Sequence, residues 1–224
     1  MGHKVHPKIY RTPNIYVWDS RWFGKKEQIS LFLKQEIRIR AFLEKKLKEA
    51  GIDSFCFERN PKEMVITIMV AKPGVVIGRS GQGLEEIRKE IEKKYLGFKL
   101  KAKINVIPVK QPALSAQVVA QGAATEIEKR MPFRRVMKQI LEKTIAAGAK
   151  GVKVNMSGRL NGAEIARREV LSAGKMSLIT IRSDVDYAFA EANTIYGKIG
   201  IKVWIYFGEA FGRRDKFEKR DEKN

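Results

Sequence analysis

A chain of 224 residues with 45 Lys and Arg against 25 Asp and Glu carries a formal charge of +20, a surplus beyond what solubility needs and one that implies a polyanionic partner. With 44% hydrophobic residues it is no disordered basic tail, and its length fits one or two domains. The single cysteine, Cys56, excludes an internal disulfide and a zinc ribbon or finger built from cysteines; no apolar run nears the roughly 20 residues of a membrane span, and Met1-Gly2-His3-Lys4-Val5-His6-Pro7 lacks the apolar core of a signal peptide, so a soluble intracellular protein is expected.

Residues 1–26 hold Pro7, Pro13, Gly24 and scattered aromatics (Tyr10, Tyr16, Trp18, Trp22, Phe23) without a sustained period, and read as an extended arm whose aromatics pack onto something. From Glu27 to Ala50, the residues Ile29, Phe32, Ile39, Leu43, Leu47 and Ala50 mark one helical stripe that Gly51 is placed to end. Ser54 to Glu58 and Met64 to Val70 read as two strands joined by the turn-forming Arg59-Asn60-Pro61-Lys62.

Next comes Pro73-Gly74-Val75-Val76-Ile77-Gly78-Arg79-Ser80-Gly81-Gln82-Gly83: an apolar approach, then a Gly-x-x-Gly turn enclosing Arg79 and Ser80. Leu84, Ile87, Ile91 and Tyr95 follow at helical spacing up to Gly97, and a last strand is expected near Lys101 to Ile107. Glycines flanking the turn permit close backbone approach, and the leading amides of the next helix attract an anion, so a phosphate chain can lie across it. A bare Gly-x-x-Gly is weak evidence; the strand before, the amphipathic helix after and the positive charge strengthen it. A P-loop needs a Lys-Ser/Thr pair after its glycines and none is present, while a dinucleotide fingerprint fails because Glu86 stands where the third glycine belongs. The whole pattern resembles the RNA-clamping turn of a KH domain, in the type II order of elements, over residues 27–108.

After Pro108-Val109-Lys110-Gln111-Pro112 a second unit begins, spanning residues 109–211. Ala116, Ala120, Ala124, Ile127 and Met131 mark one helix, and Phe133, Val136, Met137, Ile140, Leu141 and Ile145 a second, from Pro132 to Gly148. The period then becomes alternating: Val152, Val154, Met156; Ile179, Ile181; Ile201, Val203, Ile205, Phe207. These read as strands of a sheet with one buried face that the two helices cover. Residues 212–224 mix both signs of charge and read as a disordered tail. The expected class is α+β: two domains, a type II KH domain followed by a two-helix plus mainly antiparallel β-sheet domain.

Arg134, Arg135 and Lys138 lie off the apolar stripe of their helix, where Glu142 is the only acid after Pro132. That face is not neutralised from within the helix and suits phosphate contact, although charge runs often only solvate. Lys150, Lys153, Arg159, Arg167, Arg168 and Lys175, with Gly158, Asn161 and Gly162, are equally compatible with RNA-contacting loops and with ordinary surface. His3 and His6 lack further histidines for a metal site. Ser80 and Ser157 have no histidine partner, and Asp184, Asp186, Glu164 and Glu169 are dispersed among cations. No catalytic residues, cofactor or metal are expected.

Longer motifs carry a further resemblance. Gly148-Ala149-Lys150-Gly151-Val152-Lys153-Val154, Ser157-Gly158-Arg159-Leu160-Asn161-Gly162-Ala163-Glu164-Ile165-Ala166-Arg167 and Tyr196-Gly197-Lys198-Ile199-Gly200-Ile201-Lys202-Val203-Trp204-Ile205 resemble the family of bacterial small-subunit ribosomal protein number three. So do residues 1–7, Arg79 within its turn and Phe133-Arg134-Arg135-Val136-Met137-Lys138. The likeness covers nearly the whole chain. It departs after His6-Pro7, where the family usually has a glycine and an Arg-Leu-Gly turn and this chain has Lys8-Ile9-Tyr10-Arg11-Thr12-Pro13, leaving the path of the arm open.

The resemblance implies a cytoplasmic, ribosome-bound constituent of the small-subunit head. Its implied partners are small-subunit ribosomal RNA, messenger RNA, the tenth and fourteenth proteins of the same subunit, and the second, fourth and fifth as further neighbours, with no membrane. It implies that the arm, through His3, Lys4 and His6, and the second domain, through Lys150, Lys153, Arg159, Arg167, Arg168 and Lys175, bind ribosomal RNA. It also implies that Arg134, Arg135 and Lys138 line the messenger entry channel and help open messenger duplexes without hydrolysing a nucleotide. A free KH regulator of transcripts, and a nuclease or repair enzyme as known in distant members of the family, are the alternatives. Whether the host is bacterial or organellar stays open.

Overall fold

The computed structural model describes residues 5–97, 100–213, 216 and 217. The described residues form two units, one drawn from 18–110 with 216 and 217, the other of 5–17 with 111–213. The two carry separate cores. His3 and Lys4 of the expected RNA-binding arm lie outside the described residues, as does most of the tail expected to be disordered.

In the first unit, helix α2 (Lys26–Lys46) runs into a short 3-10 turn at Lys48–Ala50 and ends at Gly51, whose φ of 67° suits a residue without Cβ. Strands β2 (Ile52–Arg59) and β3 (Glu63–Val70) pair antiparallel, and β4 (Lys101–Pro108) lies parallel to β3. Between β3 and β4 come α3 (Pro73–Ile77), the glycine turn and α4 (Gln82–Ile91), which continues as a wider π turn to Leu96 before Gly97 at φ 57°. Ile39 and Leu43 of α2, Leu47 at its end, and Ile87 and Ile91 of α4 bury against Ile66, Ile68 and Val70 of β3. Each such side chain removed from water contributes about 1.5–3 kcal/mol.

Only the later part of α2 belongs to that core. Ile29, expected inward, is 43% exposed, and Leu31, Leu33 and Ile37 also face water. Unforeseen was the two-residue strand β1 (Ser20–Arg21), parallel to β2 at the sheet edge. It is anchored by Glu36, which accepts from Ser20 Oγ, from Trp22 Nε1 at 2.8 Å and from Arg40 at 3.1 Å. A buried carboxylate with three donors offsets its lost hydration.

The expectation of one extended arm over 1–26 is therefore corrected. Residues 18–26 lead into the first unit through β1, whereas residues 5–17 fold onto the second and begin with a helix, α1 (Pro7–Arg11), capped by His6. Arg11 is fully buried and donates to Pro7 O, Leu178 O and Thr180 O at 2.8–3.0 Å. Tyr16 is buried too; its hydroxyl donates to Asp184 Oδ1 at 2.8 Å and accepts from Val185 N at 3.1 Å.

The second unit stacks α5 (Ala116–Glu128) and α6 (Phe133–Ala146) on an antiparallel sheet of order β6-β5-β8-β7. Its strands are β5 (Gly151–Gly158), β6 (Arg167–Gly174), β7 (Ser183–Thr194) and β8 (Gly197–Glu209). Ser115 caps α5 and Asp186 Oδ2 accepts from Ala116 N at 2.9 Å; the buried Ala116, Ala120, Ala123 and Ala124 leave little bulk between helix and sheet. Ile179 and Ile181, expected in a strand, instead lie in the loop before β7, exposed by 88% and 43%. Two apolar residues with one between are too short a pattern to decide, and here Arg11, not a neighbouring strand, satisfies the loop's carbonyls. Two strands that were not expected form instead: β7 directly after this loop, and β6, which begins with Arg167-Arg168-Glu169, charges that concealed its alternation.

Candidate nucleic-acid interface

The glycine turn is built as its sequence predicts. Gly78 adopts φ 70°, Ser80 φ 52° and Gly81 φ 81°. A Cβ on Gly78 would meet Gly83 N at 3.0 Å, and one on Gly83 would meet Val76 O at 3.1 Å. Glycine at both positions thus lets α4 start directly against the end of α3. Gly81 supplies no side-chain cap, so the first amides of α4 point outward with the positive end of the helix dipole. Arg79 and Ser80 are exposed beside them, and Val75 and Ile77, 50% and 40% exposed, form an apolar shoulder. Amides, one cation and an apolar edge suit a phosphate with an unpaired base beside it.

On α6, the inward residues Phe133, Val136, Met137, Ile140 and Thr144 are buried, and Arg134, Arg135 and Lys138 are exposed on the other side. The structure adds an acid that the helix sequence does not contain. Glu169 on β6 pairs with Arg134 at 3.5 Å. With Arg134 75% exposed, this ion pair is worth little and a phosphate can replace it. Among the described residues neither Arg135 nor Lys138 makes such a pair.

The remaining six cations separate into groups along β5 and β6. Lys150 and Lys175 meet at one end, where Lys175 N donates to Lys150 O at 3.1 Å. There Gly151 and Gly174 are packed so tightly that a Cβ on Gly151 would lie 1.9 Å from Lys175 O. Arg167 and Arg168 sit at the other end, opposite Gly158 and Ser157. Lys153 lies between, its Nζ 5.8 Å from the Trp204 ring. Arg159 is engaged internally: its Nε donates to Ala163 O at 2.8 Å and its guanidinium lies 5.5 Å from the Tyr196 ring, so it braces the loop that holds Asn161 at φ 55°. His6 also has a local role. Its Nδ1 accepts from Lys8 N at 3.2 Å, and its ring meets Tyr187 edge-on at 4.8 Å. Lys202 on β8, absent from the expected set, shares the outward face of the sheet with Lys153; the alternation of Ile201, Val203 and Ile205 already implied that position.

Residues 38–114 match the family model of the KH domain, and residues 123–205 match that of ribosomal protein S3, C-terminal domain. Fold and surface together thus define an RNA-binding protein of two domains, both of ribosomal type in this combination. Small ribosomal subunit protein uS3 of Desulforamulus reducens is 47% identical over 219 residues, 96% of this chain and 96% of the relative. That of Desulfitobacterium hafniense is 48% identical over 209 residues, covering 93% and 94%, and that of Xanthomonas euvesicatoria pv. vesicatoria 47% over 211 residues, covering 94% and 85%. The chain belongs to the uS3 family, structural and non-enzymatic proteins of the small ribosomal subunit.

Proposed function

We propose that the chain holds RNA in the head of the small subunit at two kinds of site. The second domain, with the amino-terminal segment, anchors ribosomal RNA through Lys150, Lys153, Arg167, Arg168 and Lys175, next to the tenth and fourteenth proteins of the subunit. Arg134, Arg135 and Lys138 line the path of incoming messenger, and the Gly78–Gly81 turn touches single-stranded RNA in passing. The observation that carries this reading is the α6 face: three exposed cations off the buried stripe, with one weak ion pair among them. Their action is electrostatic. Cations hold separated strands by their phosphates and so disfavour re-pairing, with no chemical step by this chain.

The test is ribosomes carrying Arg134→Ala, Arg135→Ala and Lys138→Ala together. The fold is retained, because all three side chains are exposed, and translation of messages with stable structure ahead of the ribosome falls while unstructured messages are read normally. Equal loss on both kinds of message would discard the channel assignment.

A further inference from the structure

Helices α5 and α6 cover one face of the second unit's sheet; the other face bears Lys153, Lys202 and Phe189, with its Tyr187 end covered by the amino-terminal segment, whose His6 meets that ring, and its Phe189 end left open. Phe189 stands in the middle of β7 yet is 46% exposed. Its ring lies across Gly200 of β8, where a Cβ would come within 3.3 Å of ring atom Cε2. Glycine there lets the ring lie close to the strand. Lys202, paired with Phe189 in the ladder, places its Nζ 5.9 Å from the ring centroid. Farther across the sheet, Lys153 and Arg168 add cations; Arg168 is held by Asn155 Oδ1 at 3.1 Å. The acid on this part of β7, Glu191, is paired with Lys198 at 2.8 Å. An open recess of about 600 Å³ lies along the ring, lined by Ser157, Phe189, Gly200 and Lys202 among others, a volume in the range of small-molecule sites.

We propose that this face takes an unpaired RNA base stacked on Phe189, with the neighbouring phosphates met by Lys202 and, toward β6, by Lys153 and Arg168. This rests on the reading that the second domain contacts RNA, and it names how a nucleotide sits there. The occupant is argued from charge and surface. An aromatic ring left half in water among cations favours a ligand with both a π-face and negative charge, and single-stranded nucleic acid combines the two. β6 to β7 spans about 14 Å at ordinary strand spacing, room for a short run of nucleotides rather than one.

The probe is a fluorescently labelled oligouridine, bound to the full chain carrying Arg79→Asp and Ser80→Asp so that the glycine turn does not contribute. Phe189→Ala weakens binding about tenfold with an unchanged dependence on salt, since stacking and not charge is lost. Phe189→Tyr keeps the affinity, and ultraviolet crosslinking places a uridine adduct on Phe189. If Phe189→Ala binds like its parent and no adduct forms while Lys202→Ala still weakens binding, the contact is electrostatic only and the stacking proposal falls. If Phe189→Ala leaves oligouridine binding intact but blocks incorporation into reconstituted small subunits, a protein covers this face and the proposal is overturned. A parent chain that binds neither oligouridine nor a small-subunit ribosomal RNA transcript would refute the RNA reading of the domain itself.

Discussion

Tyr16 shows how one side chain fastens the amino-terminal segment. Burial, followed by the charge of Asp184, pushes its phenol far above the ordinary value, so it stays a neutral donor to that carboxylate. Tyr16→Phe keeps the ring and removes the hydroxyl, depriving Asp184 of this donor and Val185 N of its acceptor; we expect a loss of about 2 kcal/mol, read as a lower urea midpoint. A midpoint equal to the parent's would mean that water replaces the hydroxyl. His6 makes the same segment sensitive to pH. Burial, then the nearby charge of Lys8, lowers its imidazole below the usual 6.5, so the folded state favours the neutral ring whose Nδ1 caps α1. A group lowered on folding stabilises fully above its unfolded value and loses that contribution as pH falls through the folded one. The parent should thus lose stability relative to His6→Gln between about pH 7 and pH 5, and a proton-resonance titration of His6 should give a midpoint below 6.5; a midpoint above that value would reverse the sign.

At the scale of elements, the α3-turn-α4 segment separates packing from contact. Gly78 and Gly83 serve the close approach of two helices, whereas Arg79 and Ser80 are exposed and carry no core. Arg79→Asp with Ser80→Asp should weaken single-stranded RNA binding by roughly tenfold or more at low salt, where phosphate repulsion is least screened, while leaving the unfolding midpoint unchanged. Gly83→Ala should act through the fold instead, costing about 1–3 kcal/mol by overpacking against the Val76 carbonyl. Unchanged affinity in the double-acid variant would retire the turn as a contact. This segment was readable along the chain because glycine requirements are local. The β6 strand was not: its opening charges hid the alternation, and its pairing with β5 depends on Gly151 and Gly174, twenty-three residues apart in sequence and packed backbone to backbone.

For the whole molecule, two cores imply two unfolding events. The buried residues around β3 and those around β5 and β8 form separate clusters, each within one unit. Ile68→Ala, at a fully buried position, should cost about 2–5 kcal/mol and lower one of two calorimetric transitions while leaving the other in place. A single transition, shifted as a whole, would show that the two units unfold as one.

By itself the amino-acid sequence determined the α+β class, the helix-strand order around the glycine turn, the basic faces and the family, since those rest on local periodicity, glycine spacing and motif. Tertiary structure alone decided the rest. It divided residues 5–26 between the two units, held Ile179 and Ile181 in a loop by giving the carbonyls of Leu178 and Thr180 to Arg11, set Glu169 beside Arg134, and laid Phe189 on Gly200 next to Lys202. Each of these joins residues distant along the chain, and hydrogen-bond satisfaction, charge pairing and close packing act between neighbours in space, whatever their separation in sequence.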